Sequence, residues 1–350
     1  MNKDSIQCIN SVIKNINNIK LKPISNKTWK ALDLLFNKIQ KKWNSLDLKL
    51  KPEIIKSDIV DVLNTPFISN RLKTEIKKYQ HKTHYMFRSG KITLIYFGEY
   101  KENLILDLMK RSIITYDLVN PDHKGVIIKI IPTSYKKELN GSRIGTDQIN
   151  SGSSLIFVNG VSEISIWRKE ELGKVLVHEM IHAVCGDREI YINDIADCHI
   201  YNWIKIGKKM INVNETFTEV TANLLNSFYV SCSLGNNHWK KYFSAERGFS
   251  QIQAKKILNK LGYEKFADLK KGNRYKQETN IVAYYLLRAG TMFLYDDYYK
   301  LMGDDLFCFK SEKLDSFLKI IKKGCSEMYL DDIIIDDVSG RMTCIENMIV

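Results

Sequence analysis

The chain has 350 residues, 44% of them hydrophobic, with 18 glycines and 5 prolines: enough apolar material for one large core or two moderate ones, and too little Gly and Pro for a disordered chain. Its 7 cysteines are scattered, odd in number and nowhere spaced as Cys-x-x-Cys, which argues against a disulfide framework or a thiolate zinc site and for a reducing compartment. The net charge of +13 invites non-specific nucleic-acid binding, but the lysines rarely form blocks and accompany Asn and Ile throughout, as AT-rich coding DNA would produce, so a solvated surface is the plainer reading.

The first residues lack the apolar core of a signal peptide, and no run approaches the roughly 18 apolar residues of a membrane span. A soluble, intracellular protein with no membrane partner is expected. Ile6, Ile9, Val12, Ile13, Ile16 and Ile19 recur at helical spacing. After Pro23, Ser25 or Asn26 can cap a second helix that carries Trp29, Leu32, Leu35, Phe36, Ile39 and Trp43 on one stripe. Pro52 and Pro66 punctuate the stretch beyond it, and Ser69 caps a helix to about Gln80. Residues 1–80 thus read as a helical N-terminal subdomain without candidate chemistry.

From His84 the period changes. His84–Phe87 and Ile92–Phe97, separated by Ser89-Gly90, predict a hairpin, and Glu102–Leu118 predicts a helix stopped before Pro121. Val126–Ile131 is a β-branched run of the kind found in strands buried on both faces. Thr133–Ser153 is polar and reads as a long functional loop. Leu155–Val158 and Glu163–Trp167, around Asn159-Gly160, predict a second hairpin. The strand Glu163–Trp167 is the candidate open edge on which an extended peptide could lie through main-chain hydrogen bonds.

The chemistry begins at Lys174–Val184. His178 and His182 lie four residues apart in His-Glu-x-x-His, a spacing that puts both rings on one helix face where they can close on one metal ion. A catalytic zinc takes three protein ligands and keeps a position for water, and Glu179 stands beside that water as general base. Apart from Lys174 the flanking residues are apolar, as in a helix buried beneath a cleft. The linker Cys185–Asn212, with Tyr191, Tyr201 and Trp203, is expected to cover the cleft.

A third ligand is needed, and Asn214-Glu215-x-x-x-Glu219 provides it. Phe217, Val220, Leu224, Leu225 and Phe228 recur at helical spacing, so two acids sit one turn apart on a core helix. Buried carboxylates need cations, and without a metal these two would have none of their own, which speaks against purely structural histidines. Glu215 is assigned as ligand and Glu219 as the acceptor that orients a histidine; the reverse order stays open. Asp187 falls one residue short of where an Asp ligand would stand, a His-x-x-Gly-x-x-His continuation fails at Cys185 and Arg188, and Asp194, Asp197 and His199 read as loop and capping residues. His81, His84, His123 and His238 have no partner motif.

Helices are expected around Trp239–Tyr242, over Glu246–Leu261 and over Glu278–Met292, while the tail from Lys313 shows no recognisable chemistry. Tyr284 and Tyr285 read as packing residues of the last helix.

The run from Glu163 through Trp167-Arg168-Lys169-Glu170-Glu171 into His178-Glu179, with Asn214-Glu215-Thr216 downstream, resembles the gluzincin class of zinc metallopeptidases. More narrowly it resembles a zincin-like family of large DNA viruses of eukaryotes. The resemblance spans residues 80–290, its specific part being 163–182 and 214–226. It implies an α+β, zincin-like fold with a small mixed sheet between helical parts, one Zn²⁺ per chain held by His178, His182 and Glu215, and peptide hydrolysis with Glu179 as base. That family carries a stretch similar to Glu278–Tyr285, which implies an oxyanion role for Tyr284 or Tyr285.

The expected organisation is a helical segment 1–80, a catalytic core 81–232 and a helical segment 233–350. The expected activity is zinc-dependent hydrolysis of a peptide or protein substrate, in the host cytoplasm or a virion. Two alternatives are a catalytically silent zincin serving as a binding or virion-structural module, and a basic nucleic-acid-associated protein.

Overall fold

The computed structural model describes residues 3–56, 58–140, 144–192, 199–200, 202–204, 211–271 and 279–346. Asp194, Asp197, Tyr201 and Glu278 therefore lie outside the described residues. The fold is a mixed α+β arrangement around one sheet.

Two helices open the chain, α1 (Lys3–Lys14) and α2 (Asn26–Ser45), and Ser25 caps α2 by accepting from the Thr28 amide. After β1 (Glu53–Ile55) come the short α3 (Val60–Asn64) and α4 (Asn70–Lys77), the latter capped by Ser69. The hairpin β2 (His84–Ser89) and β3 (Ile92–Phe97) leads into α5 (Glu102–Val119) and β4 (Val126–Thr133). Next in the chain are α6 (Thr146–Ile149), β5 (Gly152–Leu155), β6 (Ser162–Arg168), α7 (Leu172–Ala183) and α8 (Arg188–Tyr191).

The six strands run in the order β1-β2-β3-β4-β6-β5. The pairs β3/β4 and β4/β6 are parallel, and the others are antiparallel. Alternation along the strands sorts the two faces. Leu94, Tyr96, Ile128, Ile130, Ile164 and Ile166 enter the main core with α5 and α7. Ile95, Phe97, Ile131 and Trp167 meet Ile59, Val62, Leu72 and Ile76 on the other side.

The expected edge strand Glu163–Trp167 is interior: β6 lies between β4 and β5. The edge belongs to β5, which begins within the stretch expected to be loop. Gly-Ser-Ser-Leu has no apolar alternation, and it is a strand because β6 beside it needs a partner (Gly152 opposite Ile166, Leu155 opposite Glu163). Trp167 Nε1 and Arg168 Nε both donate to the Asn150 carbonyl, at 3.1 and 3.0 Å, and so fix the approach to β5.

Behind the sheet lie α9 (Val213–Ser233) and α10 (Trp239–Lys260). The latter is one continuous helix where two segments are expected. A π-helical turn (Val282–Leu287) runs into α11 (Arg288–Phe293), followed by α12 (Tyr295–Met302) and α13 (Leu314–Glu327). Helices α11 and α13 cross at Gly290 and Gly324, where a Cβ on Gly324 would stand 2.0 Å from the Gly290 carbonyl oxygen. One apolar cluster takes residues from Cys8 to Ile345, so all three expected segments contribute to it.

The last described stretch is a strap threaded through the interior. Gly340 N donates to Lys137 O at 2.9 Å, Leu139 N donates to Val338 O at 2.7 Å, and the Met342 and Thr343 amides donate to Glu171 Oε1. Glu346 accepts from the Gly173 amide at 3.0 Å in the first turn of α7. Glu171, the residue before α7, adopts a left-handed φ of 61°, held there by the strap and by Lys137 Nζ at 2.9 Å from Oε2.

Candidate metal centre

Both histidines leave the same face of α7, and Glu215 enters from the first turn of α9. His178 Nε2 lies 3.1 Å from His182 Nε2, and Glu215 Oε2 lies 3.3 Å from the first and 3.2 Å from the second. Among the described residues this is a group of three donors converging on one point, two imidazoles and a carboxylate, which could hold a divalent transition ion. All three side chains are largely buried, at 8%, 10% and 12% exposure.

The other nitrogen of each ring is also engaged. His178 Nδ1 lies 2.9 Å from Glu219 Oε1, and His182 Nδ1 lies 2.7 Å from Asp187 Oδ2. Asp187 accepts in addition from Asn214 Nδ2 at 2.7 Å. Carboxylates in this position set the tautomer so that Nε2 is the free donor atom. Asp187, one residue out of place for a ligand, thus stands as an orienting group. It gets there because the chain reverses at Cys185, whose φ is 66°, and at Gly186, where a Cβ would stand 2.7 Å from Val119 Cγ1 and 2.9 Å from Phe307 O. His199 is exposed, and Asp194 and Asp197 lie outside the described residues.

The expectation that both acids lack cations of their own fails at Glu219. Lys174 Nζ donates to its Oε1 and Arg288 Nη1 donates to its Oε2 at 3.2 Å, both cations fully buried. Lys174, the odd residue of an apolar helix, is there to neutralise that acid. Among the described residues Glu215 has no Lys or Arg beside it, its partners being the two rings and Asn280 Nδ2 at 3.2 Å.

The electrostatics reflect this layout. Burial pushes Glu215 up, but His182 and His178 outweigh it and hold the carboxyl well below the usual carboxylate range. Burial likewise opposes Lys174 and His178 at Glu219, and with Arg288 they keep that carboxyl low as well. Burial lowers Lys174 despite Glu219.

Glu179 points into the cleft beside the three donors. Ser154 Oγ on β5 donates to Glu179 Oε2 at 2.6 Å and lies 3.0 Å from the Glu179 carbonyl. Gly152 passes so close that a Cβ there would stand 2.8 Å from Glu179 Oε1, so this position of the edge strand admits only glycine without displacing the acid. Ser151 O accepts from Trp167 N at 3.0 Å. That pairing turns the alternate residues Gly152 and Ser154 so that their N–H and C=O groups face outward from the sheet. Among the described residues no strand pairs with that edge.

The two adjacent tyrosines separate at the π-helical turn. Tyr285 is fully buried and donates to Gly340 O. Tyr284 lines the cleft, with its ring centroid 6.1 Å from that of His178. Burial and the nearby Glu215 and Glu179 push its hydroxyl well above the ordinary tyrosine value, so it stays protonated. The cleft has a volume of about 240 Å³, with Phe67, Ile156, Tyr191, Asn150 and Thr279 on its walls. Of the residues that build the site, Ser154, Gly152, Lys174 and Asp187 are not legible as functional in the sequence, because no short motif contains them.

Comparison with known proteins adds one relation. The chain is 27% identical over 128 residues, 33% of its length, to an uncharacterised protein of Acanthamoeba polyphaga mimivirus. It spans about a third, 32%, of that relative. The chain is thus related to a protein of a large DNA virus. No family model matches it, and no solved structure matches it. Among the described residues no helix is long and apolar enough to cross a membrane.

Proposed function

We propose that this chain is a zinc-dependent peptidase with His178, His182 and Glu215 as metal ligands and Glu179 as general base. The observation that carries the reading is the triangle of two Nε2 atoms and one carboxylate oxygen with edges of 3.1, 3.2 and 3.3 Å. Ligand atoms on a tetrahedral zinc are expected about 3.3 Å apart, given zinc–nitrogen distances near 2.0–2.1 Å, so the three donors fit. The donor set of two imidazoles and one carboxylate also suits zinc, and a closed structural site would have no use for Glu179 in the cleft.

Bound there, zinc would lower the pKa of water towards about 7 and polarise a peptide carbonyl. The rest falls to the chain's own residues. Glu179, held by Ser154, takes a proton from the attacking water and delivers it to the leaving amine as the C–N bond breaks. Glu219 and Asp187 keep the imidazoles in register. The outward N–H and C=O groups of Gly152 and Ser154 receive the substrate main chain as an added strand. Tyr284 is the donor best placed for the developing oxyanion. A viral or host protein is the expected substrate, in the host cytoplasm or a virion.

Elemental analysis of wild type, Glu215→Ala and Glu219→Ala tests the metal. One zinc per chain, lost with Glu215 and weakened with Glu219, is expected. Wild type purified without chelators and found free of zinc would end the reading. Glu179→Gln should keep its zinc and lose turnover; an active Glu179→Gln protein would contradict the mechanism.

A further inference from the structure

The connection from β5 to β6 carries an anomaly. Leu155, Ile156, Phe157, Val158 and Val161, five of seven consecutive residues, are 59%, 39%, 45%, 43% and 45% exposed. Scattered exposed apolar residues need no explanation, but a contiguous run at the mouth of a cleft does. The run is not exposed as a by-product of packing. Its backbone is fixed by polar groups: the Phe157 amide donates to Ser162 Oγ at 3.0 Å, and the Phe157 carbonyl accepts from the Gly160 amide at 3.2 Å. That carbonyl also lies 3.2 Å from His123 Nε2. His123, without a partner motif in the sequence, has this hairpin as its place. The shape of the turn is thus built independently of the side chains it displays.

We infer that this hairpin is the recognition surface for an extended apolar polypeptide segment, the substrate class of the peptidase; the inference rests on the peptidase reading for its location. Three features favour a polypeptide over a lipid surface. The surface continues β5 without a break, so a chain paired with the outward N–H and C=O groups of Gly152 and Ser154 runs directly onto it. Ile156 belongs to both, lining the cleft together with Phe67, Tyr191, Asn150 and Asn280. Among the described residues no strand pairs with those main-chain groups, and a polypeptide backbone supplies hydrogen-bonding partners for them where acyl chains do not. Side chains alternate along a bound strand, so apolar residues at every second position would settle on the hairpin while the main chain stays over the cleft.

The test uses the full chain carrying Glu179→Gln and a short fluorescein-labelled peptide rich in Leu and Phe. A counterpart peptide has those residues replaced by Ser. Adding Ile156→Ser with Phe157→Ser, or in a second variant Val158→Ser with Val161→Ser, should weaken the apolar peptide about tenfold or more, the loss expected when two such side chains no longer shed water. In the chain with Glu179 intact, the ratio of kcat/KM for the apolar over the Ser peptide should fall by a similar factor. Equal affinity with and without the hairpin substitutions overturns the proposal. So does a loss confined to binding of phosphatidylcholine–phosphatidylserine vesicles, or to self-association by sedimentation, with peptide affinity unchanged. Hairpin-dependent binding without cleavage of any peptide would defeat the peptidase reading and leave the recognition surface standing. Cleavage indifferent to the hairpin would do the reverse.

Discussion

Replacing Gly152 with alanine places a methyl carbon 2.8 Å from Glu179 Oε1, 2.9 Å from its Cγ and 3.1 Å from its Cδ. Ordinary carbon contacts need about 3.5 Å, so the carboxylate must retreat by roughly 0.6 Å. It cannot swing away freely, because Ser154 Oγ holds Oε2 at 2.6 Å. A 1 Å misplacement of a reacting group costs about a hundredfold in rate, so kcat on a fluorogenic peptide should fall roughly 10- to 50-fold. The backbone at Gly152 needs no left-handed φ, so global stability should change by less than about 1 kcal/mol, and zinc content should match wild type. Ser154→Ala releases the carboxylate. The double variant should therefore lose less than the product of the two single losses. A Gly152→Ala enzyme within twofold of wild-type kcat, or one that loses its zinc, would refute the account of how the edge strand holds the base.

Asp187→Ala should weaken zinc about 10- to 100-fold in a chelator competition, since His182 loses the partner on Nδ1; unchanged affinity would remove Asp187 from the site. Gly324→Ala should cost about 3 kcal/mol or more in urea unfolding, because the new Cβ meets the Gly290 backbone; an unchanged midpoint would mean that the two helices do not cross this closely. Glu246 gives a pH signature. Burial raises its carboxyl from 4.5 to about 7 against the Thr343, Cys344 and Ile345 donors. The folded state therefore holds the proton more tightly than the unfolded one. The stability so gained is complete below pH 4.5 and lost as the pH climbs to about 7, a total of about 3 kcal/mol. Glu246→Gln keeps an acceptor oxygen and cannot titrate. The wild-type-minus-variant difference should thus decline across that window and be flat above it; a difference flat throughout would contradict the buried carboxyl.

Patterns in the sequence are legible where the energetics are local. The i, i+4 histidines sit on α7 because a helix face is set by its own residues, and Glu215 emerges from the period of α9. The hairpin partner of β6 is legible but misplaced: the sequence puts it at Leu155–Val158, whereas β5 is Gly152–Leu155, because Gly-Ser-Ser carries no strand signal of its own. Asp187 does not stand out because its approach to His182 depends on a reversal at Cys185 and Gly186 that spacing does not encode. The cation partners of Glu219 come from α7 and α11, 45 and 69 residues away. Such pairs form by tertiary packing, which a linear pattern does not register.

The strap reaches further than any of these. Ser5 Oγ and the Glu346 amide are joined at 3.0 Å across a separation of 341 residues, and the same Glu346 accepts from Gly173 at the start of α7. The helix that carries the histidines is thus tied to contacts of very high sequence separation, which form late because loop-closure entropy must be met first. Its amides should exchange with deuterium only through global opening, while α3 and α4 open separately. A molecule built this way has no half-assembled centre: the donors are expected to come together, and to part, with the fold as a whole.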